Sequence, residues 1–125
     1  MDIVLSNTSG VPIYEQIKAQ IKAAILRGDL VEGEALPSLR ALARDLQVSV
    51  ITTTRAFSDL AAEGFVTNVP GKGSFVLPLD SDLVREQVLR DVENHLGKAI
   101  AAARLASLTP AELHQVLDAL ITEEA

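Results

Sequence analysis

Three apolar stripes between Ile13 and Leu60 repeat at spacings of three and four residues, and each is flanked by residues that start or stop helices. That pattern confines this part of the chain to short amphipathic helices. In PIYEQIKAQIKAAILRG, Pro12 suits a first helical turn. Ile13, Ile17, Ile21 and Ile25 recur at every fourth position with Ala24 beside them, and Gly28 supplies a stop. GDLVEGEALP reads as a loop. Ser38 then stands as the N-cap of LRALARDL, in which Leu39, Leu42, Ala43 and Leu46 share one face.

The next stretch, VSVITTTRAF, sets two rules against each other. Val50, Ile51, Thr52, Thr53 and Thr54 all branch at Cβ, which favours a strand. Yet Thr53, Ala56, Phe57 and Leu60 fall at i, i+3, i+4 and i+7, with Ser49 as an N-cap and Gly64 as a stop. Propensity differences amount to a few tenths of a kcal/mol per residue, whereas burying a Phe or Leu contributes about 1.5–3 kcal/mol. The packing term wins, and the spacing predicts a helix.

Beyond Gly64, FVTNV and SFVL are two short β-prone runs around PGKG, a hairpin that carries Lys72 at its tip. Leu77-Pro78-Leu79-Asp80 marks a boundary. The remainder reads as two helices. Leu89, Val92, Leu96, Ala99, Ala103 and Ala106 alternate spacings of three and four, the seam of packed helices. In TPAE, Thr109 caps a second helix, Pro110 opens it and Glu112 closes a capping box. Leu113, Val116, Leu117, Leu120 and Ile121 form the apolar face of that helix.

The fold class that follows is mainly α with a small β-hairpin. It is a winged helix-turn-helix over residues 1–78, followed by a two-helix dimerisation region over residues 79–125. The C-terminal helix pair could be an intrachain cover for the winged helix or a dimerisation arm. Some 45 residues are too few to enclose a typical ligand cavity, and the alanine-rich seam suits subunit packing better. The residues expected in that interface are Leu89, Val92, Leu96, Ala99, Ala103, Leu113, Leu117 and Leu120.

Composition narrows the chemistry. Without cysteine there is no disulfide, thiolate zinc site or cysteine nucleophile. No nucleophile–base–orienter set or glycine-rich nucleotide fingerprint is present, so no enzyme is expected. GKG lacks the spacing of a phosphate-binding loop. Asp91 and His95 sit at i and i+4, a pair read as solvated or packed rather than metal-binding. No cofactor is expected. MDIVLSNTSG has an acid where a signal peptide needs positive charge, and no apolar run reaches the ~20 residues of a membrane span. The expectation is a soluble cytoplasmic protein without membrane contact.

Net charge is −6, unusual for a nucleic-acid binder. The acidity is uneven: residues 1–77 hold seven Lys/Arg against eight Asp/Glu, residues 78–125 four against nine. In the first part, helix, turn and helix place the start of the second helix where a major groove is read. Ser49, Thr52 and Thr54 offer short hydroxyls there, Arg55 lies opposite the core stripe, and Val50 and Ile51 offer apolar surface to thymine methyl groups. Thymine-rich positions in each half-site are therefore expected. Thr53 belongs to packing, and Tyr14 to the core or an interface.

The run from PIYEQI through LPSLRALA and the TRAF segment to EGF and GKGSFV closely resembles the DNA-binding half of the GntR family of bacterial transcription regulators, and the short tail resembles its YtrA branch. The resemblance covers about residues 11–77. It implies a winged helix domain, a homodimer and a palindromic double-stranded DNA operator, in a branch commonly made of repressors of transporter operons. It assigns DNA contact to Ser38 and Arg40 from LPS-x-R, to Ser49, Thr52, Thr54 and Arg55 from the recognition helix, and to Gly71, Lys72 and Gly73 from the wing. No effector ligand is implied by any residue. Two positions depart from the family pattern: Gln47 replaces the usual glycine between the two helices, and Val50 and Ile51 stand where polar residues or proline are usual. The competing reading is a winged helix module for protein–protein contact without DNA binding, encouraged by the acidic total.

Overall fold

The computed structural model describes residues 2–79 and 82–124. They form α1 (Ile13–Leu26), α2 (Leu39–Leu46), α3 (Val50–Ala62), β1 (Val66–Val69), β2 (Gly73–Val76), α4 (Asp82–Leu105) and α5 (Pro110–Glu124). The chain divides into two compact units, Met1–Glu86 and Gln87–Ala125, so that α4 begins in the first and continues in the second. Asp80, at the end of the expected boundary stretch, lies outside the described residues.

The core of the first unit is aliphatic with two phenylalanines. Ile17, Ile21 and Ile25 of α1, Leu42 and Ala43 of α2, and Ala56, Phe57 and Leu60 of α3 are buried, joined by Phe65, Val66 and Val76 around the hairpin. Ile13, the first of the stripe, is only half-buried. The β-branched run is helical, as its period requires. Ser49 caps α3 with its Oγ accepting from the Thr52 amide at 3.1 Å. Buried Thr53 does more than pack: its Oγ1 donates to the Leu39 carbonyl at 3.0 Å and so joins α3 to α2.

Ion pairs tie α1 to the end of α3. Lys18 Nζ lies 3.3 Å from Glu63, 3.7 Å from Glu15 and 3.7 Å from Asp59, and Lys22 Nζ lies 3.4 Å from Glu63. Burial works against the Lys18 charge, but the carboxylates of Glu63, Glu15 and Asp59 outweigh it and hold the ammonium above its ordinary pKa. A raised lysine pKa stabilises the fold fully below the unfolded value, and the contribution is lost as pH rises through the raised one. Ahead of α1, the Gln20 and Gln16 side-chain amides each bond both the N–H and the C=O of one residue in the N-terminal segment, Val4 and Ser6 respectively.

The segment read as a loop between α1 and α2 contributes to the sheet. Val76 N–H donates to the Glu34 carbonyl, Leu36 N–H donates to the Ser74 carbonyl, and Ala35 bridges Phe75 in antiparallel sense. β2 is therefore paired on both sides, with β1 in the register Val66↔Val76 to Val69↔Gly73 and with residues 34–36 opposite.

Four helices end in the same way. A residue at positive φ lies just past α1, α2, α3 and α4, namely Gly28, Gln47, Gly64 and Ser107. The amide of the following residue turns back to Ala24, Ala43, Leu60 and Ala103 respectively, satisfying a carbonyl that the helix leaves open. At Gln47 (φ 57°, ψ 45°) the left-handed backbone is kept without the family's glycine. An L side chain in that conformation is strained by about 1–2 kcal/mol. Part of that returns when the more flexible glycine must be ordered, so Gln47→Gly is expected to stabilise the unit by about 0.5–1 kcal/mol. Thermal denaturation checks this, as a midpoint a few degrees higher; an unchanged or lower midpoint would show that the turn carries no strain.

In the second unit, α4 and α5 are joined by a short turn. The capping box forms in both directions, Thr109 N–H to Glu112 Oε1 and Glu112 N–H to Thr109 Oγ1, each at 3.1 Å. Leu89, Val92, Leu96 and Ile100 of α4 and Val116, Leu117, Leu120 and Ile121 of α5 stay exposed in the chain. Ala99 is exposed, Leu113 is half-buried, and Ala103 is buried, which leaves Ala103 little surface to offer a partner.

Candidate nucleic-acid interface

Among the described residues, the charges of the first unit sort by position. Lys18, Lys22, Arg27 and Arg44 are paired with carboxylates. Arg40 and Lys72 make no ion pair there, and both line an open cleft of about 730 Å³ between the start of α2, one face of α3 and the hairpin. Ser38, Thr54, Gly71 and Gly73 line the same cleft. Six of the residues expected at DNA are thus brought together, and their positive charge is not cancelled locally. This accounts for how a chain with net negative charge can present a cationic face.

The hydroxyls at the two helix starts are already oriented. Ser38 Oγ accepts from the Ala41 amide at 3.1 Å, capping α2 and leaving the hydroxyl proton free to donate. A phosphate oxygen, which only accepts, is a suitable partner for such a donor. At α3, Ser49 Oγ and Thr52 Oγ1 lie 2.9 Å apart and are hydrogen-bonded, with either hydroxyl able to donate. The two helix N-termini add amide N–H groups that favour an anion.

Ser49, Val50, Ile51 and Thr52 lie outside the cleft, at the first turn of α3. Ile51 is 82% exposed, so nothing among the described residues covers it. Arg55 has a partner within the chain. Its guanidinium stacks on the Tyr14 ring with 3.8 Å to the centroid, while Asp59 turns to Lys18. Tyr14 is half-buried and holds Arg55 against α1.

At the wing tip the Lys72 N–H donates to the Val69 carbonyl at 3.0 Å, closing a turn with Pro70 and Gly71 at its centre. Gly71 has φ +74°, which the third residue of a type II turn requires. Lys72 is exposed at the apex. Sequence reasoning missed Ser58, Asn68 and Ser74, which also line the cleft. For Ser58 a signal existed, since it lies one turn beyond Thr54.

Two helices joined by a tight turn, a preceding helix packed behind them and a hairpin beside the second make this a winged helix-turn-helix. The pattern described as bacterial regulatory proteins, gntR family, matches residues 13–76. The chain belongs to the GntR family. Among curated relatives, the HTH-type transcriptional repressor YtrA of Bacillus subtilis is 29% identical over 113 residues, covering 90% of this chain and 87% of that protein. YdeL of the same organism, an HTH-type transcriptional regulator, is 38% identical over 90 residues, but they span 70% of this chain and only 19% of YdeL.

Solved structures agree along the chain. A transcriptional antiterminator from Listeria monocytogenes EGD-e superposes with a TM-score of 0.77 at 28% identity, over 96% of this chain and 90% of that one. YtrA from Sulfolobus acidocaldarius, a GntR-family transcription factor, gives 0.61 at 34% identity, over 76% and 97%. AraR(DBD) in complex with operator ORX1 gives 0.55 at 26% identity, over 61% and 95%. The chain is thus a YtrA-like member of the family and carries its DNA-binding domain. No helix among the described residues is long and apolar enough to cross a membrane.

Proposed function

We propose that the chain is a cytoplasmic homodimer that binds a palindromic double-stranded DNA operator sequence-specifically and represses transcription. The observation that carries this reading is the convergence of Arg40 and Lys72 with Ser38, Thr54, Gly71 and Gly73 on one cleft, beside an α3 start that presents Ile51 to solvent. The first set contacts phosphates and fixes register. Val50, Ile51 and Thr52 read base edges, the two apolar side chains against thymine methyl groups. Arg55, braced on Tyr14, contacts a phosphate on the other side of α3. The likeness to AraR(DBD), a domain solved on its operator, and to the repressor YtrA supports DNA as the partner and repression as the outcome.

Dimerisation is supported by the uncovered apolar rows of α4 and α5. Two copies would place two recognition helices on two half-sites, which is why the operator is expected to be palindromic.

Titration with DNA over a range of salt tests the reading. With about three basic groups per subunit at phosphates, log K is expected to fall with log salt at a slope of roughly −4 to −7 for the dimer. Lys72→Ala is expected to weaken all sequences alike and make the slope shallower by about 0.9 per subunit. Thr52→Ala is expected to change which base is preferred at one position of each half-site, by about 1–3 kcal/mol. Retention unchanged by both substitutions would replace DNA with a protein partner.

A further inference from the structure

We propose that Asn68 is a positioning residue that holds the wing against α3 and so sets where Lys72 meets the DNA backbone; the proposal rests on the DNA-binding reading above. Asn68 stands in β1 directly opposite Ser74 of β2, one pair below the turn. Ser74 Oγ donates to Asn68 Oδ1 at 2.6 Å, and Asn68 Nδ2 donates to the Phe57 carbonyl of α3 at 3.2 Å. The relay has a direction. A serine hydroxyl on the amide oxygen leaves the amide nitrogen facing the helix, where only a donor is useful.

Both ends of the relay are anchored. Ser74 is buried, and the Phe57 side chain is among the most buried in the unit, so its carbonyl is a fixed point. Beyond the base of the hairpin, where Phe65 N–H donates to the Leu60 carbonyl, the Asn68 amide is the hydrogen bond that joins the wing to α3 among the described residues. Asn68 and Lys72 line the same cleft, and Lys72 sits just past it at the apex. A small rotation about the base of the ribbon moves the apex most, and this amide limits it. Loss of the amide leaves β2 paired with residues 34–36, so the wing stays attached and the variant is expected to fold.

The test uses the full chain and a mixed-sequence duplex of about 30 base pairs, titrated across salt, with thermal denaturation alongside. Asn68→Ala is expected to make the slope shallower by about 0.9 per subunit, as Lys72→Ala does. The double variant is expected to lose no more than either single one, because both remove the same phosphate contact. Ser74→Ala is expected to shift the slope in the same direction, and Ser74→Thr, which keeps the hydroxyl, to restore it. A wild-type slope in Asn68→Ala, or additive losses in the double variant, would overturn the role of Asn68 while leaving DNA binding intact. Wild-type protein whose retention ignores salt would instead remove the DNA-binding reading, and this proposal with it.

Discussion

Phe57→Ala is expected to destabilise the DNA-binding unit by about 3–5 kcal/mol. Phe57 is buried on the inner face of α3, and no neighbour can refill the volume of a phenyl ring without moving a helix. Domains of this size have about 5–15 kcal/mol in total, so the variant should melt near working temperature. Ile51→Ala is the informative contrast, six residues earlier on the same helix. With 82% of Ile51 already in water, its truncation should change stability by less than about 0.5 kcal/mol and act on DNA binding instead. Urea denaturation of the two variants separates the faces of α3. Equal destabilisation by both would mean that Ile51 is covered.

Leu96→Glu is expected to have the largest effect on operator binding without touching any residue at DNA. Leu96 lies in the middle of the exposed row Leu89, Val92, Leu96 and Ile100 on α4. On the dimer reading proposed above, a carboxylate there would be desolvated in the subunit interface, and the dimer should dissociate. Two linked half-site contacts then become two separate ones, and the avidity lost is about 10²–10⁴-fold. Sedimentation shows the monomer and titration with a palindromic duplex shows the loss. If the variant remains dimeric, the interface lies elsewhere. If it is monomeric yet binds as tightly as before, one half-site suffices.

How much of this was legible in the sequence depends on which interactions the side chains announce. The helical start of α3 was readable because Thr53, Ala56, Phe57 and Leu60 keep one period, and burial of that row outweighs the strand preference of the five branched residues. The caps at Ser38, Ser49 and Thr109 were readable because the cap requires a short hydroxyl at a fixed place. The pairing of residues 34–36 with β2 was not, because it is made by backbone groups of Glu34 and Leu36, about which side-chain identity says little. The stacking of Arg55 on Tyr14 was hidden for another reason. It spans 41 positions and depends on how α1 and α3 cross, so only the face of Arg55 could be inferred, not its partner. Asn68 and Ser74 gave no signal in either run of the hairpin, since only the register places them opposite one another. Ala103 carries the period of a seam yet is buried in the chain, and period alone does not say what does the covering.

The position of β2 between two partners has a consequence for how such a module can diversify. Its strand is an interior one, so both of its edges are committed and its register is fixed from two sides. Removing one residue between Gly33 and Leu36 would send Leu36, now buried, to the opposite face and bring the inside out. Adding residues at Pro70 or Gly71 disturbs neither edge, because the ribbon simply grows outward beyond its last pair. On the DNA-binding reading proposed above, the reach of Lys72 along a duplex would then change with tip length alone.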